Sequence, residues 1–272
     1  MSTQAQEGFL KGFHAGRPAV TTEVFAAARA AGARTGYEIL RDRVTGRRRV
    51  LDLGCGDGLL LELLAGPPGR RLAGVDLSPQ SLSLARRRPA LSAAALLEAR
   101  AQRLPFRTGA FDACVSHLAL MLMADLDQVL AELSRVLAPG GLLACAIGAG
   151  GGGTAYELFG ELLPEALAGA PAGRRMPALG DRRARDPEAL GALVTAAGFT
   201  GEPEWETATV DMSGPPERVW RALSGMYDLA ALDPAALAAL GRTFHTRAVA
   251  VTGEGKDLDC HFRLRVLTAR RP

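Results

Sequence analysis

Cysteine is scarce in this 272-residue chain, and its spacing follows no recognisable pattern. The four cysteines, Cys55, Cys114, Cys145 and Cys260, are far apart and match neither a metal-ligand motif nor a disulfide framework. Three of them lie in apolar runs that are typical of buried strands. We therefore expect reduced thiols, and the sequence predicts no metal site.

The chain also lacks a long apolar run. No stretch of about 18 residues is apolar and free of charge, as a membrane span would be. The first residues, MSTQAQEGFLKGFHAG, contain neither the basic start nor the apolar segment of a signal peptide. Apolar residues still make up 48% of the composition, enough for the core of one large domain. We expect a cytoplasmic protein with no membrane contact.

Lysine is almost absent, since only Lys11 and Lys256 among the 32 basic residues are lysines. Arginine, alanine and glycine dominate instead, which is typical of a GC-rich bacterial genome. The arginine runs RRRV and ARRRPA are short and have no aromatic residues interleaved, unlike a nucleic-acid-binding surface. With a net charge of +3, the sequence predicts no nucleic-acid partner.

A regular alternation of strand and helix patterns runs through residues 46–150. RRVLDLGC and RLAGVDLS predict strands, whereas GLLLELLAG and PQSLSLARRR predict helices. Apolar strands that alternate with helices indicate a parallel sheet covered on both faces. The segment 1–45 has helical patterns, and GAGGGGTA is interpreted as a flexible join to residues 151–272, which hold further helices and two strands.

The stretch VLDLGCGDG ends the first predicted strand with three glycines in five positions. Glycines at a strand-to-helix turn allow the backbone to approach a ligand closely, and the helix that follows presents free N–H groups. No lysine follows the glycines, which excludes a phosphate-loop nucleotidase. A tight turn without a ligand and a dinucleotide site both remain open on this motif alone.

Three further landmarks follow in order. The second strand ends in Asp76, about twenty residues after the glycines, where an acid can accept both hydroxyls of a ribose. ARAQRLPF and FDACVSHLALMLMADLDQVLAELSRVLAPGG come next. Together these features resemble a class I S-adenosylmethionine-dependent methyltransferase of the small-molecule type, densely over residues 48–147 and weakly outside them. The resemblance implies an α/β, Rossmann-like, doubly wound sheet of seven mostly parallel strands.

The resemblance also implies a set of residues that bind S-adenosyl-L-methionine. They are Tyr37 over the methionine carboxylate, Asp52, Gly54, Cys55 and Gly56 at the methionine part, Asp76 at the ribose, Leu77, Ala101 and Gln102 at the adenine, and the backbone of Ser116 at the ammonium. Tyr37 could equally be a packing residue. Ala99 and Arg100 stand where the family usually has glycine and aspartate, so the common acid to the adenine amino group is missing.

Methyl transfer to a hydroxyl needs a group that removes the proton, and a histidine does this well near neutral pH. His117 directly follows the fourth predicted strand and is our first candidate; His14 is the second, and His245 is a further possibility. Each could instead be a surface or packing residue. O-methylation is slightly preferred, and C- or N-methylation remains open; the product of the cofactor would be S-adenosyl-L-homocysteine.

The segments at about 154–180 and 215–242 are predicted to be helical lids that select the acceptor. The residues expected to meet a small, apolar or aromatic acceptor are Tyr156, Phe159, Trp220, Tyr227 and His245. The same helices could instead extend the core or form a dimer interface, and the sequence allows a monomer or a homodimer. A non-methylating, pericyclase-like role is the alternative function, and a nicotinamide enzyme is disfavoured by the downstream landmarks.

Overall fold

The computed structural model describes residues 3–66, 68–171, 174 and 176–272. The strands in these ranges are β1 (Arg49–Leu53), β2 (Arg71–Asp76), β3 (Ala95–Glu98), β4 (Phe111–His117), β5 (Leu137–Gly152), β6 (Thr200–Asp211) and β7 (His261–Arg270). The α-helices are α1 (Thr3–Gly16), α2 (Val20–Phe25), α3 (Gly36–Arg43), α4 (Leu59–Leu64), α5 (Pro79–Arg86), α6 (Leu126–Val136), α7 (Thr154–Ala168), α8 (Pro187–Ala196), α9 (Pro216–Leu223) and α10 (Pro234–Thr252).

Local sequence signals explain where several helices begin. Ser78 accepts a hydrogen bond from the backbone N–H of Ser81, and proline follows it at the first position of α5. Thr35 and Glu38 form a reciprocal capping box at the start of α3. In α6 the buried residues Leu126, Val129, Leu130, Leu133 and Val136 recur at helical spacing and face the sheet.

The seven strands form one sheet in the order β3-β2-β1-β4-β5-β7-β6. β3, β2, β1, β4 and β5 run parallel, whereas β7 is antiparallel to both β5 and β6. The chain moves outward from β1 through β2 to β3 and then returns to β4 on the other side of β1. A crevice therefore forms at the carboxyl ends of β1 and β4, where doubly wound sheets bind ligands.

Helices cover both faces of the sheet, as the apolar strands predict. One buried cluster joins α3, α7, α9 and α10 to the sheet, and a second joins α6 and α8 to the opposite face. In the described part of the chain, no helix is both long and apolar enough to cross a membrane. The sheet is thus a rigid base for residues at its carboxyl edge.

The glycine-rich segment near residue 150 differs from its sequence interpretation. Its composition predicts a flexible join, and this prediction is wrong because β5 continues through it to Gly152. Gly151 pairs with Phe262 and Gly152 with His261 of β7, after a register shift beyond Gly148. The backbone pairing with an antiparallel neighbour holds a segment whose composition alone favours a loop. The lid segment predicted at about 154–180 includes residues 172, 173 and 175, which lie outside the described residues.

Candidate cofactor site

The turn after β1 is built by glycines in left-handed conformations. The φ angles of Gly54, Gly56 and Gly58 are 74°, 53° and 84°, a region that L side chains adopt only with strain. The backbone N–H groups of Gly54 and Cys55 both donate to the carbonyl oxygen of Val75, at 2.8 and 3.0 Å. The turn is therefore fixed to β2 and presents a rigid backbone to the crevice.

Gly54 and Gly56 are required for different reasons. A Cβ atom on Gly54 would lie 2.3 Å from the Cβ of Ala119, closer than any real contact. A Cβ atom on Gly56 would meet no atom within 4 Å. Packing between two loops explains the first glycine, whereas the second borders open space that a ligand can occupy.

A cavity opens at this turn, with about 1160 Å³ of empty space when its mouth is included. All of the predicted cofactor residues except Ser116 line it: Tyr37, Asp52, Gly54, Cys55, Gly56, Asp76, Leu77, Ala101 and Gln102. Ser116 is fully buried, and its hydroxyl donates to the carbonyl oxygen of Leu53 at 2.8 Å. Its side chain links β4 to β1, whereas the predicted ammonium contact concerns its backbone and stays a prediction.

Three aspartates meet at this cavity. Asp52 is 2% exposed, and burial, Asp76 and Asp57 raise its pKa well above the usual value. Asp57 accepts hydrogen bonds from Thr22 at 2.6 Å and Arg88 at 2.5 Å. The described residues contain no group of three or more histidines, cysteines or acids that could hold a metal ion. An organic cation bound beside Asp52 would relieve its unfavourable burial.

Asp76 ends β2 and is held by two backbone donors. One carboxylate oxygen accepts from the N–H of Gly56 and the other from the N–H of Ser78, both at 2.8 Å. Burial nevertheless raises the pKa of Asp76, because these hydrogen bonds and nearby His14 offset only part of the desolvation. The carboxylate is thus oriented at the cavity wall, with lone pairs left for hydroxyl donors.

His14 lies at the Asp76 side of the cavity. Its Nε2 atom is 3.0 Å from the hydroxyl oxygen of Tyr227. Burial lowers the pKa of His14, and the negative charge of Asp76 opposes this shift. Asp76 is the expected ribose ligand, so His14 lies at the nucleoside end of the cavity.

His117 is the last residue of β4 and lies on the other side of the β1 turn. Its ring stacks on Tyr37, with centroids 3.9 Å apart, and Phe25 approaches it edge-on at 6.1 Å. Burial lowers the pKa of His117 to about 3, so the imidazole is neutral near pH 7. Neither ring nitrogen has a hydrogen-bond partner among the described residues. His14 thus has a hydrogen-bond partner in Tyr227, whereas His117 has none among the described residues.

Leu118 follows His117 with a φ of 55°, an unusual conformation for a bulky residue. Its N–H donates to the carbonyl oxygen of Ala146 at 2.8 Å, and its side chain lines the cavity. Such strain costs roughly 1–3 kcal/mol and is concentrated at functional sites. The turn directs the chain from His117 into Ala119, which packs on Gly54.

The N-terminal cover, which we define as residues 3–25, closes one side of the cavity. Gln6, Glu7, Leu10 and Lys11 of α1 line the cavity, as does Thr22 of α2. His14 is the one residue of this segment for which the sequence predicts a role in the site. The amphipathic spacing of Phe9, Leu10 and Phe13 is the signal that could have revealed a packed helix here, although not what the helix covers.

Two ion pairs fasten α1 to the edge of the sheet. Lys11 lies 2.8 Å from Glu98, at the end of β3, and Arg100 lies 2.8 Å from Glu7. Arg100, which departs from the family pattern, is therefore occupied by the cover. Gln102 lines the cavity, and its side-chain amide donates to the carbonyl oxygen of Ala124 at 2.7 Å.

Of the predicted acceptor residues, only Tyr227 lines the cavity. Phe13 of the cover contacts its ring, with centroids 4.6 Å apart. Tyr227 belongs to a short 3-10 turn between α9 and α10. The segment between the last two strands therefore reaches the cavity through this one predicted side chain.

The other predicted acceptor residues lie elsewhere. Phe159 is 6.5 Å from Trp220, ring centre to ring centre, and these rings join α7 to α9 inside the core. Tyr156 packs over Gly151, and His245 is exposed on α10 near Glu217. The apolar faces of these helices pack against one another. This is the core extension that the sequence allows as an alternative to a lid.

The residues present fit S-adenosylmethionine. The cavity joins a backbone turn with an open glycine, an oriented acid at the β2 end and a buried acid at the β1 end. A molecule that carries ribose hydroxyls and a positive charge satisfies both acids. This arrangement fits the cofactor site of a class I methyltransferase.

Comparisons with known proteins agree with the geometry. Residues 51–145 match the family model described as a methyltransferase domain. The demethylmenaquinone methyltransferase of Thermus thermophilus is 36% identical over 165 residues, which cover 56% of this chain and 74% of that protein. Two further curated relatives are matched over only 41% and 42% of their length. The chain belongs to the class I S-adenosylmethionine-dependent methyltransferase family.

Solved structures show the same fold. A type II methyltransferase described as putative, from Anaeromyxobacter dehalogenans, has a TM-score of 0.61 at 20% identity, over 89% of this chain and 97% of the other. The [4+2]-cyclase SpnF has a TM-score of 0.53 at 22% identity, over 87% of this chain and 80% of that one. At these identities the likeness concerns the fold alone. The predicted Rossmann-like sheet of seven mostly parallel strands is confirmed.

Proposed function

We propose that this protein transfers the methyl group of S-adenosylmethionine to a small, apolar or aromatic acceptor, with oxygen preferred as the methylated atom. The observation that carries the proposal is the convergence of Asp52, Asp57 and Asp76 on a cavity at the switch point of the sheet. When bound, the cofactor supplies a sulfonium-activated methyl group. The chain's own residues bind it, exclude water and align the acceptor.

The acceptor end of the cavity is apolar. Beyond the glycine turn its wall is formed by Leu118, Ala119, Leu122 and Met123. The Thermus thermophilus relative is named as a demethylmenaquinone methyltransferase. Both facts support an apolar or aromatic acceptor, whose identity is part of the proposal.

Two observations support His117 over His14 as the group that receives the acceptor's proton. His14 is already bonded to Tyr227 and lies beside Asp76, at the nucleoside end. His117 follows β4 next to the β1 turn, where the methionine part of the cofactor is expected. Its neutral ring has accepting capacity that nothing in the described structure uses.

Methyl transfer is tested directly with purified protein, S-adenosylmethionine labelled in the methyl group, and matched phenol, enol and amine acceptors. We expect label in a phenol or enol product and an equal amount of S-adenosylhomocysteine. Asp76→Ala should lose this activity, whereas Asp42→Ala, an exposed acid on α3, should keep it. Bound cofactor with no S-adenosylhomocysteine for any acceptor would contradict the proposal and favour a non-methylating, cyclase-like role.

A further inference from the structure

The adenine end of the cavity lacks the acid that the family pattern has at position 100. Ala99 and Ala101 line the cavity, but Arg100 between them does not. The side chain of Arg100 is 50% exposed. Because the 6-amino group of adenine is a hydrogen-bond donor, a site that encloses it has to supply an acceptor from another residue.

An acid from a different element lies at this end of the cavity. Glu7 of α1 lines the cavity, and its ion pair with Arg100 places it beside Ala101, one of the residues expected at the adenine. Only 19% of the Glu7 side chain is exposed. Since α1 precedes residues 48–147, which carry the family resemblance, no family motif points to this carboxylate.

Arg100 uses one oxygen of the Glu7 carboxylate and leaves the other available. The Nε and Nη2 atoms of Arg100 both lie 2.8 Å from Oε1 of Glu7. No described residue donates a hydrogen bond to Oε2 of Glu7. Because Glu7 lines the cavity and Arg100 does not, the arginine holds the carboxylate from outside and leaves an acceptor at the cavity wall.

The helix that carries Glu7 is also fixed by other contacts. Lys11 of α1 lies 2.8 Å from Glu98, at the end of β3. Oε1 of Gln6 accepts a hydrogen bond from the backbone N–H of Gly180 at 3.0 Å. Contacts with two separate parts of the chain therefore position the Glu7 carboxylate before a ligand binds.

We propose that Glu7 accepts a hydrogen bond from the 6-amino group of adenine and thereby replaces the acid that is missing at position 100. Arg100 is then a positioning residue, which orients the carboxylate without touching the cofactor. This inference rests on the proposed function, because it requires bound S-adenosylmethionine. It makes α1 part of the cofactor site, so the bound adenine links this helix to the sheet.

Gln102 is the competing acceptor at this end of the cavity. Its amide nitrogen donates to the carbonyl oxygen of Ala124 at 2.7 Å, which leaves its side-chain oxygen available. A carboxylate oxygen accepts a stronger hydrogen bond than a neutral amide oxygen does, because its charge attracts the donor. We therefore expect Glu7 to contribute more than Gln102 to recognition of the amino group.

The test compares S-adenosylhomocysteine with its purine analogue, in which a hydrogen atom replaces the 6-amino group. Calorimetry of the wild-type protein should show S-adenosylhomocysteine binding at least about tenfold tighter, the effect of one hydrogen bond to a charged group. Glu7→Ala should reduce this preference to within about twofold. Gln102→Leu should keep a preference of at least about fivefold.

The matched control is Glu98→Ala, which also removes an ion pair between α1 and the sheet. Glu98 does not line the cavity, so this variant should keep the full preference for S-adenosylhomocysteine over the purine analogue. Without ligand, Glu7→Ala and Glu98→Ala should both melt close to the wild type, because surface ion pairs contribute little. An equal loss of preference in both variants would mean that Glu7 only fastens the helix.

Hydrogen exchange supplies a second readout that is independent of turnover. With both ligands at saturation, S-adenosylhomocysteine should slow amide exchange in α1 of the wild type more than the purine analogue does. In Glu7→Ala the two ligands should slow this exchange equally, because the contact with the amino group is gone.

The outcomes separate this inference from the proposed function. Equal wild-type affinities for the two ligands, or a preference that survives in Glu7→Ala, would overturn the assignment of Glu7 while leaving the cofactor site in place. A wild-type protein that binds neither ligand would contradict the proposed function, and this inference with it.

Discussion

The two ends of the cavity differ in how completely their polar groups are satisfied. At the β2 end, Asp76 accepts two backbone hydrogen bonds and His14 is bonded to Tyr227. At the β4 end, His117 has no partner within the described structure. The first end is organised before any ligand arrives, whereas the second is complete only with one. This contrast is what we expect of a fixed cofactor site beside a variable acceptor site.

The largest effect should come from the β4 end. His117→Ala should lower turnover by about a hundredfold, the low end for general-base catalysis, because burial lowers the pKa of His117 to about 3 and makes it a weaker base than the near-neutral histidine that the sequence predicts. Cofactor affinity should stay the same, since the expected cofactor contacts lie elsewhere. Rates and calorimetry on the same preparation check both statements. His14→Ala is the comparison, and an equal loss there with full activity in His117→Ala would reverse our assignment.

A substitution at the β2 end should instead change the affinity for S-adenosylmethionine. Asp76→Ala removes two charge-assisted hydrogen bonds to a ribose, worth about 1.5–3 kcal/mol each at most. We expect S-adenosylmethionine to bind at least about tenfold more weakly, as measured by calorimetry. The control is Asp42→Ala, which removes the same negative charge from an exposed position on α3. Unchanged affinity in Asp76→Ala would remove the ribose assignment.

Two of the three glycines of the turn, Gly54 and Gly56, form a matched pair. Gly54→Ala places a Cβ atom 2.3 Å from Ala119 and should destabilise the fold by about 1–3 kcal/mol. Gly56→Ala meets no neighbour, so only its left-handed backbone should cost roughly 1–2 kcal/mol. Denaturant unfolding should therefore rank Gly54→Ala below Gly56→Ala. Cofactor binding to a still-folded Gly56→Ala should be weakened, and normal binding would mean that this glycine serves the fold alone.

Low pH should reduce the free energy of unfolding, because unfolding allows His117 to become protonated. Its pKa is about 3 when folded and near 6.5 when unfolded, so the unfolded state binds more protons below pH 6.5. The contribution of neutral His117 to the free energy of unfolding is therefore complete above pH 6.5. It decreases as the pH falls toward 3, by up to about 1.4 kcal/mol per pH unit. Tyr37 is the titratable group that stacks on the ring, and it stays neutral in this range because burial raises its pKa. Unfolding curves of His117→Leu should show a shallower loss; identical slopes would contradict the assignment.

The N-terminal cover should show the smallest effect. Its ion pairs join Lys11 with Glu98, both about half exposed, and exposed Arg100 with partly buried Glu7, and surface pairs contribute about 0.2–1 kcal/mol each. Glu7→Gln should leave the melting temperature almost unchanged and speed cofactor release by a few-fold. Stopped-flow release measures this, with Glu161→Gln on α7 as the control. Equal release rates would show that α1 does not retain the cofactor.

The sequence predicts the cofactor end better than the acceptor end for a physical reason. Gly54, Gly56 and Asp76 act through a continuous strand–turn–helix motif, where spacing alone fixes their geometry. The covering role of α1 depends on contacts with β3 and with Tyr227, which are distant in sequence. Trp220 shows why the acceptor end is harder to predict. An aromatic residue on an amphipathic helix gives the same sequence pattern whether it faces a cavity or another helix.

The central claim is that this cavity binds S-adenosylmethionine, and calorimetry of the wild-type protein tests it most directly. Titration with S-adenosylmethionine should give one site per chain, and titration with NAD under the same conditions should give no binding. Asp76→Ala should weaken the first titration and leave the second unchanged. Absence of S-adenosylmethionine binding, or binding of NAD with equal affinity, would contradict the account.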